Sequence, residues 1–364
     1  MDLFLVAGEP SADLHGAHLI EALLKQQPDL QIGAVAGIRM RSLPIITLFS
    51  MEELQVMGFI DVLVELPHLV RFFYRVRDEI LRLQPKVVLS IDYPGFNLRL
   101  ARSLKKEGYQ GRLIHYICPT VWAWGKGRIP LMAKYLDRLL TLFPFERDCF
   151  THTALPVAYV GHPLVSQVAR HQSVCQFPGK ILALFPGSRK GEILKNFPLQ
   201  KEVALRLKKL FPDLQVIVSC ANETVRPLLS SPFPVVEHSY DLMRSAHLAL
   251  ATSGTVTLEL ALFQVPTVVH YAIRPFDCFL AQKIFRIHLP HYCIVNIIAQ
   301  RRIFPELFGP HLTVETLFEE AIRYWSDPEV RSVCREGLDR VRHLLGEKDA
   351  SAEAAEQVMQ LLAF

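Results

Sequence analysis

Four short stretches of this chain carry side chains that could do group-transfer chemistry. Pro186-Gly187-Ser188-Arg189 follows the apolar run Ile181 to Phe185. It precedes a segment, about Glu192 to Leu210, with Leu194, Phe197, Val203, Leu207 and Leu210 at roughly helical spacing. Strand, glycine turn and helix aim backbone N–H groups and the positive helix end at one point. Ser188 adds a hydroxyl there and Arg189 a bidentate cation, which suits a phosphate or diphosphate. The plainer reading is an ordinary strand-to-helix turn with a surface arginine. Ser253-Gly254-Thr255 repeats the plan between a strand at His247 to Ala251 and a helix at Thr255 to Phe263. Glu259 lies one helical turn beyond Thr255, so it faces the same way and could take two ribose hydroxyls. One such turn is a weak signal. Two in one half, with a hydroxyl reader, point to a nucleotide diphosphate.

The other two stretches bear carboxylates. Gly8-Glu9-Pro10-Ser11-Ala12-Asp13 joins a strand at Leu3 to Ala7 to a helix at Leu14 to Gln26. Gly8 allows close backbone approach, and Glu9, Ser11 and Asp13 put polar groups at the carboxyl end of the strand. The plainer reading makes Ser11 or Asp13 a helix N-cap. Asp92 ends a second apolar run, Lys86 to Ile91, where a general base would sit. The alternative is an aspartate capping the helix Leu98 to Glu107. Cys118 to Gly125 holds Trp122 and Trp124 in a rigid loop after a strand at Leu113 to Ile117.

Positioning these groups needs a particular scaffold. The same strand–turn–helix unit recurs half a chain apart in 364 residues, which indicates two doubly wound α/β domains. We place them at residues 1–165 and 166–345, with a terminal helix in 346–364. Further strands are expected at Ile32 to Ala36, Leu139 to Phe143, Leu214 to Ser219, Val235-Val236 and Pro266 to Tyr271. Met51 to Gly58 reads as a short helix and Ile60 to Leu63 as a strand. Glu223 to Leu229, Ser239 to Ser245, Thr313 to Trp325, Pro328 to Leu345 and Ala352 to Leu362 read as helical.

Composition sets the remaining bounds. Half of the residues are hydrophobic and 21% charged, as in a folded globular protein. A formal net charge of +4 is too small to argue for nucleic acid, and none is expected as a partner. The charge is unevenly spread: residues 1–70 carry three Lys/Arg against nine Asp/Glu, and residues 71–138 fourteen against five. Within His68 to Leu83 the basic side chains Arg71 and Arg75 alternate with Val70, Phe72 and Phe73. Such a cationic and apolar face suits an anionic membrane surface or a phosphorylated amphiphile. The competing reading is a helix whose aromatics are core and whose arginines are solvated. The seven cysteines, at 118, 149, 175, 220, 278, 293 and 334, are scattered and form no C-x-x-C, which favours a reduced cytoplasmic protein. The start Met1-Asp2-Leu3-Phe4 lacks the basic residues of a signal peptide, and no apolar run reaches the length of a spanning helix.

Taken in order, these motifs resemble the lipid-A-disaccharide synthase family over nearly the whole chain. The residues that carry the resemblance are Gly8 to Asp13, Ser90 to Asn97, His115 to Trp124, Val160 to Pro163, Pro186 to Arg189, Ser253 to Thr255 with Leu258-Glu259, and Asn296 with Pro305-Glu306. The run Pro119-Thr120-Val121-Trp122-Ala123-Trp124 and the Gly-Glu-x-Ser motif are specific. The Ser-Gly-Thr-x-x-x-Glu turn is shared more widely among sugar-nucleotide enzymes.

The resemblance implies a GT-B glycosyltransferase, two facing Rossmann-like domains with the site in the cleft. Such an enzyme would move 2,3-diacylglucosamine from UDP-2,3-diacylglucosamine to the 6-hydroxyl of 2,3-diacylglucosamine 1-phosphate (lipid X). It would invert the anomeric centre and release UDP, as a peripheral protein on the cytoplasmic face of the inner membrane of a Gram-negative bacterium. Asp92 would be the base, with Glu9 or Asp13 as substitutes. Gly187, Ser188, Arg189, Ser253, Gly254, Thr255 and Glu259 would hold UDP. Gly8, Ser11, Trp122, Trp124, Asn296 and Glu306 would line the acceptor side. No cofactor is expected, and with no D-x-D motif no metal; fixed positive groups would stabilise the leaving group. Oligomeric state is left open, a homodimer included. The chain departs from the family pattern at Gly95, where a second Asp is usual, at Ala12, where Gly is common, and at Phe308-Gly309, where a glutamine is absent. The rival activities are a UDP-N-acetylglucosamine epimerase, a muramyl-peptide transferase, and a non-catalytic lipid-binding protein on the same fold.

Overall fold

The computed structural model describes residues 1–54, 59–173, 177–273 and 289–363. Residues 55–58, Cys175 and Cys278 lie outside them. The chain divides into two compact units, Met1–Pro163 with Lys348–Phe364, and Leu164–Glu347.

The first unit is built on a parallel sheet of seven strands: β1 Leu3–Ala7, β2 Ile32–Ala36, β3 Ile46–Ser50, β4 Val87–Ile91, β5 Arg112–Tyr116, β6 Arg138–Thr141 and β7 Val157–Tyr159. Their order is β3-β2-β1-β4-β5-β6-β7. The chain therefore winds outward in one direction from β1 and in the other from β4. β1 and β4 lie side by side in register, Leu3 against Val87 through Ala7 against Ile91. Their carboxyl ends form the topological switch point, where such sheets leave a crevice.

Each central strand is buried on both faces, which is why its sequence reads as an unbroken apolar run. Leu3, Leu5 and Ala7 pack on one side with Leu19, Ile20 and Leu23 of the helix Pro10–Gln26. Ala354, Ala355 and Val358 of the terminal helix Ala350–Leu362 join the same cluster. That helix belongs to the first unit, although its sequence follows the second. Arg138 pins it by donating to the Gln357 carbonyl at 3.1 Å and to Gln360 Oε1 at 3.0 Å. Phe4 and Val6 point the other way, into a cluster with Phe72, Val76, Ile80, Leu104 and Met132.

The second unit has a six-stranded parallel sheet: β8 Ile181–Phe185, β9 Gln215–Ser219, β10 Val235–Val236, β11 Ala246–Thr252, β12 Thr267–Tyr271 and β13 Glu306–Phe308. The order β10-β9-β8-β11-β12-β13 places the switch point between β8 and β11, with Phe185 opposite Ala251.

Three differences from the sequence reading have clear causes. Ile60 to Leu63 are not a strand; they lie in the helix Phe59–Leu83, which continues through Pro67. Proline inside a helix is costly, which is why a helix running through Pro67 is not legible in the sequence. β3 is a sheet-edge strand with exposed and half-buried residues, and β13 has three residues, so neither shows a buried-strand pattern. Phe72, placed by sequence on a membrane-facing surface, is fully buried against Phe49 and Phe96 at ring distances of 5.6 and 6.2 Å. The exposed face of that helix instead runs through Leu66, Val70, Arg71 and Tyr74, while Phe73 is half-buried and Arg75 pairs with Glu53 at 2.8 Å.

Candidate active site

In the first unit, Glu9 and Asp92 follow the two strands of the switch point. Asp92 and Tyr93 both have left-handed backbones, with φ of 48° and 46°. For non-glycine residues each costs on the order of 1–3 kcal/mol and persists only when its surroundings hold it. Here the Asp92 N–H donates to the Tyr116 carbonyl at 2.9 Å. The buried Asn97 amide donates to the Asp92 carbonyl at 2.7 Å and to that of Ile91 at 3.3 Å. This elbow turns the Tyr93 ring onto Gly8, where a Cβ would meet Tyr93 Cδ1 at 2.5 Å. Glycine is therefore required at position 8.

The elbow also sets the electrostatics. The Asp92 carboxyl is pushed up to about 6, by burial first and then by the charge of Glu9, to which it hydrogen-bonds. Two carboxyls that share a site resist joint ionisation. Ser11 Oγ donates to Glu9 Oε1 at 2.9 Å and orients the second member of the pair. The arrangement can accept one proton near neutral pH, as a general base must.

Asp13 does not join them. It is buried, and its carboxylate accepts N–H groups from Gly37, Arg39 and Met40 at 2.9, 2.8 and 3.1 Å. It caps the short helix Ile38–Arg41, so the structure removes it as a base candidate. The helix Pro10–Gln26 starts from Glu9 with Pro10 in its first turn, and neither Ser11 nor Asp13 caps it. Trp122 stacks edge-on with Phe145 at 5.5 Å, and the exposed Trp124 carries Arg128 over its ring at 4.7 Å.

In the second unit, Gly187, Ser188, Arg189, Ser253, Gly254, Thr255 and Glu259 all line one cavity of about 490 Å³. The turn after β8 needs glycine, since Gly187 has φ of 111° and packs against Glu192. The helices Lys190–Leu210 and Thr255–Leu262 begin at Arg189 and Gly254, and neither N-terminus is closed by a side-chain cap. Two helix N-termini thus open on one cavity. Arg189 is 83% exposed and approaches Glu192 at 3.4 Å, and that exposure leaves its guanidinium open to an anion.

The structure adds residues that the sequence did not single out. Tyr240 lines the cavity and donates its hydroxyl to Glu259 Oε1 at 3.0 Å. Burial raises the Glu259 carboxyl above its ordinary range, and the tyrosine hydrogen bond partly offsets this. Ser219 and Ser239 also line it, with their hydroxyls 2.7 Å apart. Tyr240 gave no sequence signal of its own, and Asn97 entered only as the end of the Ser90 to Asn97 motif; their contacts with Glu259 and Asp92 reveal what they do. Asn296 is corrected as well. It is buried and spends its amide on the backbone, donating to the Phe304 carbonyl at 2.8 Å and accepting from Ile303 and Phe304 at 2.7 and 2.9 Å. It also donates to Glu306, which accepts the Tyr292 N–H at 2.9 Å. Asn296 is a brace for Glu306, with no donor left for a ligand.

The family model for lipid-A-disaccharide synthetase matches residues 3–360. The lipid-A-disaccharide synthase of Geobacter sulfurreducens is 35% identical over 99% of this chain and 97% of its own length. That of Chlamydia pneumoniae is 38% identical over 84% of this chain, which spans about half of that relative, 53%. Among solved structures, the glycotransferase of kitacinnamycin superposes with a TM-score of 0.63 at 16% identity, covering 99% of both chains. That likeness establishes the fold, a GT-B arrangement of two parallel-sheet α/β domains. With a carboxylate pair at one switch point and paired anion turns at the other, the chain belongs to the lipid-A-disaccharide synthase family, glycosyltransferases of lipid A biosynthesis.

Proposed function

We propose that the chain transfers 2,3-diacylglucosamine from UDP-2,3-diacylglucosamine to the 6-hydroxyl of lipid X, with inversion. The observation that carries this reading is the single cavity shared by both uncapped helix N-termini, Arg189 and Glu259. It supplies fixed positive groups for a diphosphate and a carboxylate for ribose hydroxyls. The acceptor oxygen attacks the anomeric carbon and its proton passes to Asp92. The new C–O bond forms as the bond to the diphosphate breaks, and UDP departs with that electron pair. Ser188, Arg189 and the helix N-terminus at Gly254-Thr255 stabilise the charge that develops on it. Burial, with the charge of Glu9 added to it, holds Asp92 near the pKa a base needs.

The lipid substrates suit the exposed Leu66, Val70 and Tyr74 beside Arg71, which we assign to contact with an anionic bilayer. Among the described residues no helix is long and apolar enough to cross a membrane. The proposed location is the cytoplasmic face of the inner membrane of a Gram-negative bacterium, with residues 1–165 as the acceptor domain and 166–345 as the donor domain.

The test mixes the protein with the acylated donor and acceptor, measures UDP release and weighs the lipid product. UDP release with a disaccharide 1-phosphate supports the reading. Turnover of unacylated UDP-N-acetylglucosamine alone would move the activity to an epimerase or a muramyl-peptide transferase. No turnover of either, with vesicle binding intact, would leave a lipid-binding protein.

A further inference from the structure

The helix Lys190–Leu210 packs on the second sheet largely through apolar residues, among them Phe197, Val203 and Leu207. Glu192, Asn196 and Gln200 interrupt this face at intervals of four, so they form one stripe along it. Asn196 and Gln200 are completely buried. A leucine at such positions would pack without any polar group to desolvate, so buried amides there stabilise less than apolar side chains would.

What the stripe touches explains it. Glu192 packs against Gly187 and approaches Arg189 at 3.4 Å, in the turn after β8. Asn196 donates to the Glu192 carbonyl at 2.8 Å and accepts the Ala272 N–H at 2.8 Å, just beyond β12. The Gln200 amide nitrogen lies 3.1 Å from the Phe185 carbonyl and 3.2 Å from the Leu250 carbonyl. Phe185 is the last residue of β8, and Leu250 lies two residues before the end of β11. One side chain therefore spans the two strands of the switch point, immediately beneath both anion turns. Gln200 also meets His270 Nε2 at 3.1 Å, and the His270 carbonyl accepts the Ser253 N–H at 3.0 Å. The stripe reaches the second turn by that path as well. Burial pushes His270 down to about 4, so it adds no charge at neutral pH.

We propose that Gln200, supported by Asn196, is a positioning residue for the diphosphate: it ties β8 to β11 so that Gly187–Arg189 and Ser253–Thr255 address one ligand. This rests on the donor-site reading above. The distance between two donor turns matters only for a ligand that both must hold, so the diphosphate should feel its loss and the nucleoside should not.

The experiment measures UDP and uridine affinities by calorimetry, with melting temperatures, for the full chain and for Gln200→Met. A second variant, Gln200→Asn, keeps an amide too short to span both carbonyls, and serves if the first does not fold. UDP should bind about tenfold more weakly to either variant, the scale of one or two lost hydrogen bonds. Uridine affinity should change by less than about twofold on the same scale. Equal losses for both ligands, or unchanged UDP affinity, would overturn the positioning role and leave Gln200 a packing residue. Failure of the unaltered protein to bind UDP would overturn the donor-site reading, and this inference with it.

Discussion

Replacing Asp92 with asparagine should make the protein slower and more stable at once. Its carboxyl titrates at about 6 in the folded chain against an ordinary 3.8. Between those values the folded chain keeps a proton that the unfolded chain has released. The stability this contributes is complete below about pH 4 and is lost as the pH rises through 6. Above that, holding the ionised group in the elbow costs up to about 3 kcal/mol, at roughly 1.4 kcal/mol per pH unit. Asp92→Asn removes that cost, so at pH 8 its unfolding free energy should rise by up to about 3 kcal/mol. At pH 4 the gain should vanish. The same substitution removes the base and should lower kcat by about 10²–10⁴-fold. Urea unfolding at both pH values and UDP release at pH 8 measure the two effects. The natural chain should also show an acid limb in kcat/KM near pH 6, and Glu9→Gln should move it downward. Because burial is the larger cause, the move should be less than half of the whole elevation, about one pH unit at most. A variant less stable at pH 8, or a limb that rises in Glu9→Gln, would refute the reasoning.

Three further outcomes follow from burial and hydrogen bonding. Phe72→Ala should cost about 3–5 kcal/mol in urea unfolding, whereas Leu66→Ser with Val70→Ser should leave the melting temperature nearly unchanged and weaken binding to anionic vesicles. Tyr240→Phe should raise the Glu259 carboxyl further and weaken UDP binding by roughly two- to tenfold in calorimetry, the worth of one hydrogen bond. Asn296→Ala leaves the Ile303 and Phe304 N–H groups without their acceptor and should lower unfolding free energy by at least about 3 kcal/mol.

The sequence by itself determined the parts. Central strands such as Leu3–Ala7 and Ile181–Phe185 are legible because burial on both faces demands an unbroken apolar run. Gly187 is legible because a tight turn before a helix restricts the residue type. The order of the motifs was enough to place the chain in its family. Strand adjacency was not legible. Ala7 and Ile91 are far apart in the chain and lie side by side in the sheet, as do Phe185 and Ala251. Parallel strands pair through crossovers whose length carries no record of which neighbour they reach. That adjacency brings Glu9 to Asp92 and unites the two anion turns over one cavity. It also sorted residues of one type into different work. Asp13 and Asp92 both follow a buried strand, yet one is consumed by three backbone N–H groups and the other faces a second carboxyl. A carboxylate's role is set by which donors and charges surround it, and only the tertiary structure supplies those.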